Sequence, residues 1–536
     1  MQQEYTATLA RLHTSSNAER LSREKELVHL LKRTLIGVSC PEYLELAKKP
    51  LAEVIHILTD ARLPTTSPLK DYSSVSERTP DYKVKFGETW VHDINFDNEV
   101  NNKRKQSLRK WLTGLLYTDK KSLRPSMVLF WHHYFPIQIN RITLAVKVYD
   151  YFSTLINFSL ENYKDLVLHG MTSFTMLEFH KKINTTPGSL YKAHSHQLLG
   201  YLFGSDYSTY LSKDRVKRFT RLISEWNRIN DELVLSVSRL NTEVTENSFI
   251  QYNALSIPEN YKRAIITDFI SEATEVINKL LQFEQAAHVL AEKLFCWFIH
   301  FDTSKRTAKK IIKKVSHSIL ENNYDIKKIL TTLLLQEDIY TTQYFGCLTK
   351  KPVEFVFGLC KELNGIMADP GNHIDHYQQW EWLLRYIETF GLTLGDPPFN
   401  MEFYAQQPYL KQKAWITSET LQQSEQLITR LLNSHIQPGN GNNSLPLINY
   451  LAGFHTLDSL TEFLILYFTH THYSPGKKES ILQFIKQHYQ VTNESWMLMQ
   501  LQLQKYPQDT VVKAQVIAIV KRLVEYFLKA PEYYYY

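Results

Sequence analysis

In the stretch 276–298 (VINKLLQFEQAAHVLAEKLFCWF) the apolar residues Ile277, Leu280, Leu281, Ala287, Leu290, Leu294 and Phe298 recur at helical spacing, so one helix face carries them all. Such a face is stable only against another apolar surface, which commits the chain to packing helix on helix. The same i, i+3, i+4, i+7 stripe recurs at Leu51, Val54, Ile55 and Leu58, behind Pro50 at a helix start. Glycine (17) and proline (19) are sparse among 536 residues. That scarcity favours helices over a turn-rich β architecture. The expected fold is all-α, a large single multi-helical unit.

Local signals divide the chain. Helices are expected at 22–35 and 40–47, the second opened by a capping box of Ser39 and Glu42. Residues 63–103 break the periodicity with prolines, serines and mixed charge, and read as a surface excursion. Periodicity resumes at Leu108, Trp111, Leu112 and Leu115. Residues 227–261 form the least helical part, and their LVLSVSRLNTEV alternation leaves room for one small β-hairpin. The Asn/Gly/Pro-rich stretch 434–446 is a loop or linker. The expected organisation is a main helical domain over 1–433, the linker, and C-terminal helices over 447–536 packing on that domain. No internal repeat of solenoid length appears, which argues against a regular solenoid.

Composition narrows the function classes. A net charge of +6 is small for this surface, so there is no strong nucleic-acid signal. Cys40, Cys296, Cys347 and Cys360 are scattered without metal-binding spacing, and no disulfide framework is expected. No apolar run is long enough to span a bilayer. The N-terminus, MQQEYTATLARLHTSSNAER, lacks the apolar region of a secretory signal. The expected location is cytoplasmic, or periplasmic or exported if a leader is missing.

Four stretches lie in a telling order: 127–135 (MVLFWHHYF), 214–226 (DRVKRFTRLISEW), 276–298 and 351–359 (KPVEFVFGL). With the opening HLLKRTLIG and the final PEYYYY, they make the chain resemble the bacterial family known as domain of unknown function 1800. The resemblance implies a large helical fold and no particular activity. It also implies a partner class, because relatives are often encoded beside a secreted hydrolase-like protein. Many relatives carry export signals, unlike this N-terminus. Family members show a helix reading roughly RELxELHTLG where residues 187–200 read PGSLYKAHSHQLLG. The Arg–Glu pair becomes Ala193–His194 and the second acid becomes Gln197. A His-Asp element expected in 227–261 and a Gly-Trp pair after Pro397–Pro398 have no counterpart. Packing residues are therefore kept where paired charges are lost.

Candidate chemistry rests on histidines. His132 and His133 are adjacent on a helix and diverge by about 100°, so they cannot chelate one ion together. His194 and His196, two apart, are also poorly spaced for this. A combined site of His132 or His133 with His194 or His196 is the candidate for a divalent transition metal, with Asp150, Glu161, Asp165 and Glu178 as further ligands. His373, Asp375 and His376 read as a loop near Pro370–Gly371. Residues 305–328 form a basic amphipathic helix, and Lys309, Lys310, Lys313 and Lys314 are its candidate partner-binding residues. The tetra-tyrosine end reads as a docking strip. No GxSxG elbow, phosphate loop or dinucleotide fingerprint is present. The expected function is a non-enzymatic interaction or scaffold protein with a protein partner. The alternative is a metal-assisted hydrolase with a histidine-containing site.

Overall fold

The apolar stripes face inward, but the 276–298 stripe is divided between two helices, Glu259–Leu280 and Glu284–Phe298, by a turn at 281–283, and the basic helix expected over 305–328 ends at Glu321. The computed structural model of the protein describes residues 18–60, 66–73, 81–183, 190–224, 259–363, 373–397, 415–433, 446–469, 475–489 and 491–536. The anticipated hairpin (227–261) falls almost wholly outside these residues, as does nearly all of the 434–446 linker. Among the described residues the fold is all-α, and extended pairing is limited to isolated bridges. The helices used below are α1 (Ala18–Thr34), α2 (Cys40–Leu46), α3 (Leu51–Thr59), α4 (Asn98–Thr118) and α5 (Arg124–Tyr134). They continue with α6 (Ala145–Phe158), α7 (Phe174–Ile183), α8 (Leu190–Phe203), α9 (Glu284–Phe298) and α10 (Arg306–Glu321). The last are α11 (Ile326–Leu334), α12 (Pro352–Glu362), α13 (His373–Thr389), α14 (Asn493–Lys505) and α15 (Thr510–Lys529).

Local chemistry sets the helix starts. Ahead of α2, the Glu42 carboxylate accepts from the Ser39 backbone N–H at 2.9 Å and from its hydroxyl at 2.7 Å. Asp97 caps α4 by accepting from Glu99 N (2.8 Å) and Val100 N (3.0 Å). In α3, Val54, Ile55 and Leu58 are buried as the stripe requires. Past α1, Gly37 adopts φ +77°, and a Cβ there would lie 2.6 Å from Gly358 Cα on α12. Only glycine fits that crossing.

The buried apolar residues form one contiguous cluster from Leu27 to Tyr534. It includes α5, in which Met127, Val128, Phe130 and Trp131 are buried. Trp131 stacks on Tyr163 (5.4 Å, 25°) and donates its indole N–H to Ser159 O at 3.0 Å. Arg124, also buried, donates to Ile156 O at 2.6 Å. The segment read as a surface excursion includes buried groups. Trp90 is buried, and Asp81 receives the fully buried Arg104 guanidinium at 2.8 Å.

The C-terminal tyrosines do not form an outward strip. Tyr533, Tyr534 and Tyr536 are buried, and the segment pairs antiparallel with 348–350 through Leu348 N to Tyr536 O (3.1 Å) and Lys350 N to Tyr534 O (2.9 Å). Tyr533 Oη donates to Glu362 at 2.9 Å, and Glu362 also pairs with Lys32 of α1. Six successive residues after Ala530 supply three aromatic side chains to the interior, which is why so tyrosine-rich an end packs.

Candidate functional site

The histidines of α5 point to different neighbours, as their helical divergence demands. His132 Nδ1 lies 2.9 Å from Tyr151 Oη on α6, and that hydroxyl donates to Phe135 O at 2.6 Å. The tyrosine proton is thus committed, so the imidazole carries its proton on Nδ1 and donates it. Nε2 then presents a lone pair, buried and without a hydrogen-bond partner. Burial, reinforced by His133, pulls the His132 pKa down to about 3. His133 turns the other way, toward Trp297 of α9 at 5.8 Å. Burial, then Lys351 and Lys293, pull it to about 4.

On α8, His194 is hydrogen-bonded to the imidazole of His180 on α7, and His180 Nε2 is 3.3 Å from Tyr201 Oη. Burial first, and His194 second, hold His180 well below the ordinary histidine range. His196 bonds Tyr207 through Nδ1. The helices themselves meet, since Tyr134 Oη donates to Tyr201 O at 2.6 Å. The structure therefore brings α5 and α8 together while directing the four histidines to four different partners. Among the described residues, no group of three or more His, Cys, Asp or Glu side chains is arranged to hold a metal ion.

The carboxylates named with them have their own surroundings. Glu178 accepts from Lys182 (2.8 Å) and from the Thr143 hydroxyl (2.6 Å). Glu161 faces Lys327 at 3.7 Å. Burial alone lifts Asp150 to about 7. His373, Asp375 and His376 are not in a loop; they form the first turn of α13.

Sequence reasoning missed the cations seated on rings beside His133. Lys293 Nζ lies 3.9 Å over the Tyr134 ring, and Lys351 Nζ lies 3.8 Å over Trp297 while bonding Glu354 at 2.7 Å. Burial draws Lys293 down to about 8. The groups around His133 come from 127–135, 276–298 and 351–359, three of the stretches that carry the family resemblance. Nothing local in any one of them announces the meeting. On α10, Lys309, Lys310, Lys313 and Lys314 are exposed, and Lys310 reaches Asp338 at 3.0 Å. The four cysteines are free thiols, and burial pushes Cys40, Cys296 and Cys360 up to about 12, which leaves them poor nucleophiles.

A second surface feature also escaped the sequence. Helix α14 is fixed on one side by Trp496, whose N–H donates to Phe454 O at 2.8 Å, and by Gln500, which donates to Ala452 O at 2.8 Å. Its other side exposes Met497 (46%), Leu498 (65%) and Leu501 (58%). Tyr506, just past α14, and Val511, in the first turn of α15, are also exposed. The sequence hides it because α14 has apolar residues on both sides.

Comparison with known proteins adds a family. The family model described as "Protein of unknown function (DUF1800)" matches residues 29–184 and 244–535. No curated protein and no solved structure matches the chain. No helix among the described residues is long and apolar enough to cross a membrane.

Proposed function

The chain belongs to DUF1800, a family of proteins of unknown function, and we propose that it is a non-enzymatic helical scaffold that receives a protein partner on α14. The observation that carries this reading is the apolar side of α14, with Met497, Leu498 and Leu501 turned to solvent while Trp496 and Gln500 anchor the opposite side. Contiguous exposed apolar surface on an ordered helix is the usual mark of a protein-binding face. The test is a photo-crosslinking residue at Leu498, in cells that make the protein, with a second position at exposed Lys213 as control. One discrete adduct from position 498, lost on adding Leu501→Glu and absent from position 213, is the expected result. No adduct, or the same adducts from both positions, overturns the reading.

A second reading, metal-assisted hydrolysis, draws support from His132. A neutral imidazole with Nδ1–H held by a tyrosine and a bare Nε2 is how a metal-binding histidine is oriented by its neighbours. About one transition-metal ion per chain, measured by elemental mass spectrometry and lost in His132→Ala, is what this reading requires. Metal-free protein from an unchelated preparation rules it out.

A further inference from the structure

Helix α10 places positive charge where helix physics disfavours it. Six of the ten residues in 305–314 (KRTAKKIIKK) are cationic, and no acidic residue occurs from 303 to 320. Four like-charged pairs stand four apart: Lys305 with Lys309, Lys309 with Lys313, Arg306 with Lys310, and Lys310 with Lys314. Each repels along the helix surface. Lys305 at the N-cap and Arg306 in the first turn also oppose the helix dipole.

The fold relieves little of this. Ala308, Ile311, Ile312, Val315 and Ile319 are buried, which fixes the rotation of α10 and turns the six cations outward. Lys310 pairs with the half-buried Asp338, and Lys305 lies within the field of Asp302; apart from Lys310, none of the six forms a salt bridge among the described residues. A helix that keeps most of this repulsion on a fixed outward face fits an external anionic surface.

The chemistry of the face selects among anions. Five of the six cations are lysines, compact point charges without the forked donors that read a particular carboxylate or phosphate. No large apolar or aromatic side chain is exposed between 303 and 321, so nothing there stacks on a nucleic-acid base or anchors in a protein pocket. What remains is a diffuse negative surface met by a cationic face about 14 Å long. We infer that the cationic face of α10 docks this protein peripherally, without insertion, on membranes containing anionic phospholipid.

The test is co-sedimentation of the full chain with vesicles of phosphatidylcholine alone or with about a third phosphatidylglycerol, at about 50 and about 500 mM salt. The expected result is binding to the anionic vesicles only, at least about tenfold weaker at the higher salt. The same loss is expected in Lys309→Gln/Lys313→Gln/Lys314→Gln at low salt. A control of equal net charge, Lys213→Gln/Lys217→Gln/Lys513→Gln, changes exposed lysines elsewhere and should bind like the wild type. The substitutions are all on exposed side chains, and unchanged circular dichroism and thermal midpoint verify folding. The inference is overturned by no binding to anionic vesicles, by binding insensitive to salt, or by equal losses in the two triple variants. It is equally overturned if single-stranded RNA binds the wild type where the vesicles do not.

Discussion

At His132 the free energy of burial falls on the charged form of one ring. Its folded pKa of about 3 lies below the ordinary value of 6.5. Below pH 6.5 the unfolded chain takes up a proton that the folded ring refuses, so stability is present above pH 6.5 and lost as pH falls toward 3. The slope from one such group is at most about 1.4 kcal/mol per pH unit. His133 and His180 shift in the same direction and steepen the same window. Replacing His132→Asn keeps a donor near the Nδ1 position and removes the titration. Denaturant midpoints measured from pH 7 to 4 should fall less steeply in that variant; an unchanged slope would mean the imidazole takes up its proton in the folded state after all.

At the scale of the element, one substitution carries opposite signs at two sites. On α4 a Cβ at Gly114 would lie 2.1 Å from the Trp380 ring of α13, whereas a Cβ at Gly200 on α8 meets nothing within 4 Å. Alanine improves helix propensity by up to about 1 kcal/mol at either site. At Gly114 the clash outweighs that gain, because forcing matter into a packed crossing costs about 1–3 kcal/mol. Thermal denaturation should therefore show Gly114→Ala destabilised and Gly200→Ala slightly stabilised. The same scale separates what the sequence discloses from what it withholds. The Ser39–Glu42 box and the Leu51–Leu58 stripe were legible because every partner lies within two turns. The sequence around His373 reads as loop because the Pro370–Gly371 signal outweighs that of the helix that follows it. The facing of His180 by His194, and the seating of Lys293 on Tyr134, join separate helices, and no periodicity encodes which helices meet. The apolar face of α14 stayed hidden for a related reason, since sequence does not say which of two apolar sides is covered.

For the whole molecule, Glu362 ties distant parts together. It takes Lys32 from α1 and the Tyr533 hydroxyl from the C-terminal segment, all three buried. Tyr533→Phe removes a hydrogen bond to a charged acceptor, worth about 1.5–3 kcal/mol. Glu362→Ala leaves Lys32 buried without its counter-charge and should cost about 3–5 kcal/mol. Calorimetry should rank the variants in that order, and equal effects would show that the Lys32–Glu362 pair contributes little. The same tie has a clock in it. Lys32 and Glu362 are 330 residues apart, and ribosomes add about 5–20 residues per second. The first helix therefore waits roughly 15–65 s for its counter-charge to be synthesised, and longer for Tyr533. Throughout that interval Leu27, Val28, Leu30 and Leu31 have no finished core to enter, so the apolar face of α1 is open to aggregation while the rest of the chain is being made.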